Sequence, residues 1–312
     1  MTRVHTTEHT ITATARPEHA YDVIADVTAW PHLFPPTVHA EEVERTGAQQ
    51  VIRIWAFADG QVRDWRSRRW LDPAAKRIRF RQEVSSPPVA FMGGEWIMRQ
   101  SGDHTEVVLT HEFGAIGDDQ AQAEWIAKVV DRNSGQELES VRRNAERMAA
   151  DEQLVLSFAD SVVVAGPLAE VYDFVYRCAD WPARLPHVAR LDVTEDEHGV
   201  QVMEMDTRSP DGDVHTTKSV RVCFPHERIV YKQTTTPKIM TAHTGQWLFE
   251  KSADGVLATS RHTVVIDPDV VPEVLGPDAT VADARRAIRH ALGTNSLTTL
   301  RCAKEYVETG HR

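Results

Sequence analysis

The chain has 312 residues, 41% of them hydrophobic and 26% charged, with a formal net charge of −11. That composition excludes a disordered chain, and the length suffices for two domains that each bury a core. The acidic balance argues against nucleic acid as a partner, because phosphate recognition needs a basic footprint.

No apolar run reaches the roughly 18 residues of a membrane span, and MTRVHTTEHT lacks the apolar centre of a signal peptide. A cytoplasmic location is expected. Cys178, Cys223 and Cys302 are odd in number and widely spaced, so they read as buried thiols rather than a disulfide or zinc framework. HTTEH at 5–9 sets two histidines at helical spacing, but it lacks the rest of a zinc-protease motif, and no metal site is expected.

In chain order, HTITATA at 9–15 alternates as a strand, and Pro17 opens an amphipathic helix to about Asp26. TAWPHLFPP reads as a proline-broken loop. Strands follow, separated by turn signals at 59–60, 72–73 and 101–103. Within them, QVRDWRSRRWLD places Trp65, Ser67 and Arg69 on one face and Arg66, Arg68 and Trp70 on the other. Taken alone, that segment fits either an exposed strand or the wall of a cavity. A helical run from about Asp119 to Ala149 closes the half, with Ile126, Val130, Leu138, Val141 and Met148 as its apolar stripe and Asn133 within it.

The same order then repeats. YDVIADVTAWPHLFP at 21–35 matches YDFVYRCADWPARLP at 172–186, an offset of 151 residues that carries Trp30 to Trp181. IRFRQ at 78–82 meets IVYKQ at 229–233, GEW with Trp96 meets GQW with Trp247, and His111 meets His262. Ser67 and Arg69 return as Ser219 and Arg221, while Trp65 is replaced by Thr217. Asn133 and Ser134 answer Asn295 and Ser296. Two tandem α+β domains are expected, 1–152 and 153–312, each an antiparallel sheet covered by its long C-terminal helix.

Each half resembles the helix-grip fold of the START and Bet v 1 superfamily. AWPHLFP, WRSRRW, PPVAFMGGEW and DRNS, in that order, resemble the aromatase/cyclases of bacterial type II polyketide synthases, and the tandem arrangement resembles their di-domain members. The resemblance implies cyclisation, dehydration or aromatisation of the first ring of a poly-β-ketone on an acyl carrier protein. It further implies closure between carbons seven and twelve, without metal or organic cofactor. The second half departs from the pattern at Thr217, Arg184 and Leu185.

Aldol closure needs a folded chain, loss of a proton between two carbonyls, and stabilisation of an enolate. Arg69 suits the enolate as a fixed cation, and Ser67 can bond a neighbouring carbonyl. Trp30, Phe34, Trp65 and Trp96 can wall the chain. His111 is a candidate acid-base group or, equally, a structural histidine. Asn133 is a candidate for orienting substrate. Through the repeat, Arg221, Ser219, His262, Trp181, Trp247 and Asn295 inherit these readings. Arg63 to Arg81 holds eight basic residues, so Arg66 and Arg68 are expected to dock the acidic carrier. The competing class is a non-catalytic carrier of a hydrophobic small molecule, which would need only an apolar pocket.

Overall fold

The computed structural model describes residues 2–58, 60–150, 153–208, 212 and 214–310. The chain divides into two compact units, Met1–Glu152 and Gln153–Arg312.

The first unit runs β1 (His5–Ala13), α1 (Pro17–Ala25), a one-turn helix α2 (Trp30–Leu33), then β2 (Thr37–Thr46), β3 (Gln49–Ala58), β4 (Gln61–Asp72), β5 (Arg77–Gln82), β6 (Val89–Ser101) and β7 (His104–Ala115), and ends in α3 (Gln120–Ala149). The second runs β8 (Val155–Val164), α4 (Leu168–Tyr176), α5 (Trp181–Arg184), β9 (Val188–Glu195), β10 (Val200–Arg208), β11 (Val214–Phe224), β12 (Arg228–Thr235), β13 (Met240–Ser252), β14 (Gly255–Ile266), α6 (Val271–Leu275) and α7 (Val281–Glu308). Each sheet is a seven-stranded antiparallel meander whose first strand closes back on its last, in the orders β1-β7-β6-β5-β4-β3-β2 and β8-β14-β13-β12-β11-β10-β9. This is the helix-grip architecture that the resemblance implies, once in each half of the repeat.

Pro17 fixes the first turn of α1, whose missing N–H needs no partner there, and Asp26 leaves helical geometry to bond the Thr28 N–H at 3.0 Å. α3 turns Ala123, Ile126, Val130, Ser134, Leu138 and Val141 inward against β1, β7 and α1. α7 starts at a reciprocal capping box between Thr280 and Asp283. The apolar cores are local to each unit. Val23, Ile24, Ile78, Trp96, Leu109 and Val141 form the centre of one, and Val171, Phe174, Ile229, Phe249 and Leu300 that of the other.

Three expectations need correction. HTTEH belongs to β1, so His5 and His9 follow strand and not helix spacing, and His9 Nε2 lies 2.8 Å from Asp131 Oδ1. TAWPHLFPP is not irregular, since Pro31 sits early in α2, where a proline is tolerated. Cys178 and Cys223 are buried as expected, but Cys302 is only half-buried on α7.

One row of residues crosses each sheet on its inner face. In the first it is Gln50, Arg69, Phe80, Gly94, His111 and Thr7; in the second it is Gln201, Arg221, Tyr231, Gly245, His262 and Phe158, each directly opposite the next on the neighbouring strand. The central glycine explains why the ring and the histidine flanking it meet. A Cβ on Gly94 would stand 2.0 Å from Thr110 O and 2.8 Å from the Phe80 ring, and one on Gly245 would stand 2.4 Å from Tyr231 Oη and 2.5 Å from Arg261 O. Gly94→Ala and Gly245→Ala are each expected to lower the unfolding free energy by about 1–3 kcal/mol. A urea titration checks this; unchanged midpoints would mean that the strands part without penalty.

Candidate active site

Arg69 and Arg221 are each 2% exposed, although arginine is rarely so buried without a partner. The partner is a helix end. Arg69 Nη2 donates to Ile24 O of α1 at 2.6 Å, and Arg221 Nη2 donates to Val175 O of α4 at 2.7 Å. The last carbonyls of a helix lack intrahelical donors and carry its negative pole, so they suit a buried cation. Each guanidinium also faces an indole, Arg69 at 5.2 Å from Trp30 and Arg221 at 5.5 Å from Trp181. Burial lowers the Arg69 pKa to about 10, which leaves it cationic at neutral pH.

Neither fork is used up. Arg69 Nη1, and Arg221 Nε and Nη1, are buried without a hydrogen-bond partner among the described residues. In the second unit these donors border a cavity of about 120 Å³ that all six C-terminal candidates line: Trp181, Ser219, Arg221, Trp247, His262 and Asn295. A wider surface depression at Gly166, His226 and Lys251 holds none of them.

In the first unit Ser67 is buried beside Arg69 on β4 and donates to Arg81 O at 3.3 Å, while Trp65 is half-buried. Trp30 meets the buried Phe34 edge to face at 5.6 Å, and Trp96 is buried in the same cluster. His111 packs edge-on against Phe80 at 5.5 Å, and its Nδ1 lies 3.5 Å from Ser134 Oγ.

Asn133 is the misplaced candidate. It is exposed, and its neighbour Ser134 holds the inward position, because one residue rotates a helix by about 100°. Asn295 in α7 does reach the cavity, beside Ser296. Arg66 is exposed on the outer face of β4, and the half-buried Arg68 pairs with Glu83. Two more of the eight basic residues are paired in the same way, Arg77 with Glu95 and Lys76 with Glu18.

The two units differ most around the histidine. His262 Nδ1 lies 3.0 Å from both Tyr231 Oη and His243 Nε2, and its Nε2 lies 3.1 Å from Ser260 Oγ. The repeat puts Phe80, Met92 and Leu109 at the corresponding positions of the first unit. Sequence reading had passed over Tyr231, His243 and Ser260, although the Phe80 to Tyr231 exchange was visible in IRFRQ against IVYKQ. It had also missed Glu137 on α3. Glu137 is half-buried, and burial pushes its carboxyl up to about 7. Among the described residues no three histidine, cysteine or acidic side chains converge as metal ligands, and no helix is long and apolar enough to cross a membrane.

Two sequence patterns described as polyketide cyclase / dehydrase and lipid transport match residues 4–146 and 164–292. The chain belongs to the polyketide cyclase/dehydrase family. It is 45% identical to the granaticin polyketide synthase bifunctional cyclase/dehydratase of Streptomyces violaceoruber, over 97% of this chain and 94% of that one. To the actinorhodin polyketide synthase bifunctional cyclase/dehydratase of Streptomyces coelicolor it is 44% identical, over 96% of each. The crystal structure of the di-domain ARO/CYC BexL from the BE-7585A biosynthetic pathway superposes with a TM-score of 0.91 at 49% identity, covering 97% of this chain and 99% of BexL. StfQ, the di-domain ARO/CYC of the steffimycin biosynthetic pathway, gives 0.87 at 37% identity, covering 97% and 98%. The family's tandem helix-grip fold is therefore that of this chain.

Burial lowers the pKa of His111 and of His262 to about 4, and holds those of His243 and His187 below the usual imidazole value. The unfolded chain then takes up protons first as pH falls, so the stability each neutral imidazole contributes is present above about 6.5 and lost as pH falls through its lowered value, about 4 for His111 and His262. Glu137 acts in the opposite sense, since its contribution is present below about 4.5 and lost as pH rises through about 7. It offsets His111 in the first unit, while three histidines of the second have no such counterweight. Between pH 7 and 5 the second unit is expected to lose hydrogen-exchange protection before the first, after correction for intrinsic rates. An equal loss in both units would contradict this assignment.

Proposed function

We propose that the protein is a bifunctional polyketide cyclase/dehydratase that closes and aromatises the first ring of a poly-β-ketone held on an acyl carrier protein, joining carbons seven and twelve. The relatives named above support the reaction class. The observation that carries the reading is the lining of the C-terminal cavity.

Among Trp181, Met203, Met205 and Trp247 stand buried polar atoms with no partner among the described residues: Arg221 Nε and Nη1, Thr217 Oγ1, Gln233 Oε1, His187 Nδ1 and His243 Nδ1. Each unpaired buried group costs about 1–3 kcal/mol. A carrier of lipid would gain nothing from that cost. A poly-β-ketone, with a carbonyl on alternate carbons, can pair with such groups while its methylenes rest on the indoles. The cavity's 120 Å³ is close to the roughly 150 Å³ that accepts one benzene ring, which fits a chain presented one ring at a time.

Chemically, the free N–H groups of Arg69 and Arg221 bind the carbonyl oxygen that becomes an enolate when a proton leaves the carbon between two carbonyls. The helix carbonyl and the indole hold each guanidinium before substrate arrives, so little reorganisation accompanies the developing charge. The aromatic walls hold the two reacting carbons at attack distance. Loss of water from the new ring then gives the aromatic product.

With a reconstituted minimal polyketide synthase, the wild-type protein is expected to redirect spontaneous shunt products to one aromatic first ring. Arg69→Lys and Arg221→Lys keep the charge but lose the fork, and each is expected to cut that product on the order of a hundredfold. Retention of the wild-type profile by both variants would remove the arginines from the mechanism. A profile unchanged by the wild-type protein would favour the carrier reading.

For the carrier, charge reversal at Arg66 and Arg68 is expected to weaken binding of the acyl carrier protein about tenfold or more, with a steeper loss at low salt. Titration of the carrier by fluorescence anisotropy measures it, and unaltered affinity would place the docking surface elsewhere.

A further inference from the structure

The two units share Arg, Gly and His in the inner row but not the chemistry between them. In the second unit, Tyr231 stands between Arg221 and His262 and lines the cavity, with its hydroxyl on His262 Nδ1. His262 is held in turn by His243 at the same nitrogen and by Ser260 at the other. A neutral imidazole has one lone pair, here on Nδ1, which Tyr231 Oη–H and His243 Nε2–H share, while Nε2–H donates to Ser260 Oγ. Both ring nitrogens of His262 are thereby occupied by protein groups, so a substrate in the cavity meets the tyrosine oxygen and not the imidazole. Phe158 stacks on the outer side of His262 with ring centroids 4.9 Å apart, which fixes the plane of the imidazole. The first unit has Phe80 at the tyrosine position and Met92 and Leu109 around His111. At those three positions the first unit carries neither hydroxyl nor imidazole, and the hydroxyl near its His111 Nδ1 is that of Ser134, at 3.5 Å.

We propose that Tyr231 is the proton-transfer residue of the dehydration step, that His262 acts through it with His243 and Ser260 as positioning residues, and that dehydration belongs to the C-terminal cavity. This rests on the cyclase/dehydratase reading. The step balances without any co-reactant. A ring-closed β-hydroxy ketone places its carbonyl oxygen on the free N–H groups of Arg221, and Tyr231 lies directly opposite Arg221 on the next strand, about 5 Å away. The proton on the carbon between carbonyl and hydroxyl-bearing carbon passes to Tyr231 Oη as the tyrosine's own proton passes to His262 Nδ1. The electron pair of the broken C–H bond becomes the enolate held by Arg221. Its collapse forms the carbon–carbon double bond and breaks the C–O bond. The departing hydroxide takes back the proton through Tyr231 and leaves as water, restoring Tyr231 and neutral His262.

The test uses the full-length protein with a reconstituted minimal synthase and ketoreductase, followed by mass spectrometry. Ring-closed products that keep or lose one water separate dehydration from closure. Tyr231→Phe removes one oxygen and installs the residue that position 80 already carries. It is expected to lower the ratio of dehydrated to water-retaining ring-closed product on the order of a hundredfold. His262→Gln, which can accept the tyrosine's hydrogen bond but cannot hold its proton, is expected to behave in the same way. Substrate deuterated at the carbon that loses its proton should show a primary isotope effect that rises in the His262→Gln protein, which a purely structural change would not produce. Dehydration at the wild-type rate by either variant would overturn the proposal while leaving the cyclase/dehydratase reading in place. If the wild-type protein changes neither closure nor dehydration, it is that underlying reading which fails.

Discussion

The site depends on one contact: a buried guanidinium on the carbonyl end of a short helix. A cation with 2% exposure is tolerable only where negative charge is already fixed, and α1 and α4 supply it at Ile24 O and Val175 O. In the second unit the neighbouring carbonyls are met too, Phe174 O by the Trp181 indole at 3.2 Å and Tyr176 O by Gln201 at 3.4 Å. Three side chains thus finish one helix, and two of them, Arg221 and Trp181, also line the cavity. Folding and function draw on the same hydrogen bonds, so loss of the arginine leaves an orphan carbonyl as well as an unbound substrate oxygen.

From that contact the row across each sheet follows by register. Once Arg221 is set on β11, antiparallel pairing fixes Tyr231, Gly245 and His262 opposite one another on β12, β13 and β14. Glycine is what lets the row act as a unit, since it removes the one side chain that would separate tyrosine from histidine. Duplication kept the scaffold and changed the filling. The first unit has Phe80 with His111 and a raised carboxyl at Glu137, while the second has Tyr231 with His262 and, at the helix position matching Glu137, Thr299. Two rows built on one frame have therefore become different proton environments.

Much of this was legible in the sequence, and the reasons differ by element. The repeat announced two units, and period-two alternation put Trp65, Ser67 and Arg69 together on one face, which the structure shows to be the more buried one; one residue of slip would have buried Arg66 and Arg68 instead. Helix α3 was legible in extent but not in phase. Its stripe is wide enough that Asn133 and Ser134 both fit the pattern, and only packing against His111 decides between them. The Tyr231, His243 and Ser260 set was invisible to spacing, since its members lie on three strands and meet only through pairing register. Glu137 gave no sign, because a glutamate on a helix is ordinarily solvated.

The departures of the second half from the first-half pattern, at Thr217, Arg184 and Leu185, each have a place in the structure. Thr217 in place of Trp65 exchanges an indole for a hydroxyl whose oxygen borders the cavity, and Leu185 in place of Phe34 is buried in the core. Arg184 is engaged with Asp180 at 2.9 Å and the Tyr306 hydroxyl at 3.2 Å, so its charge supports the surrounding helices. Two of the three changes put a polar group where the first half has an apolar side chain, and the third, Leu185 for Phe34, exchanges one buried apolar side chain for a smaller one. A cavity that only sheltered an apolar guest would gain from the reverse exchanges. One that must bind carbonyls, hold an enolate and move a proton gains from these.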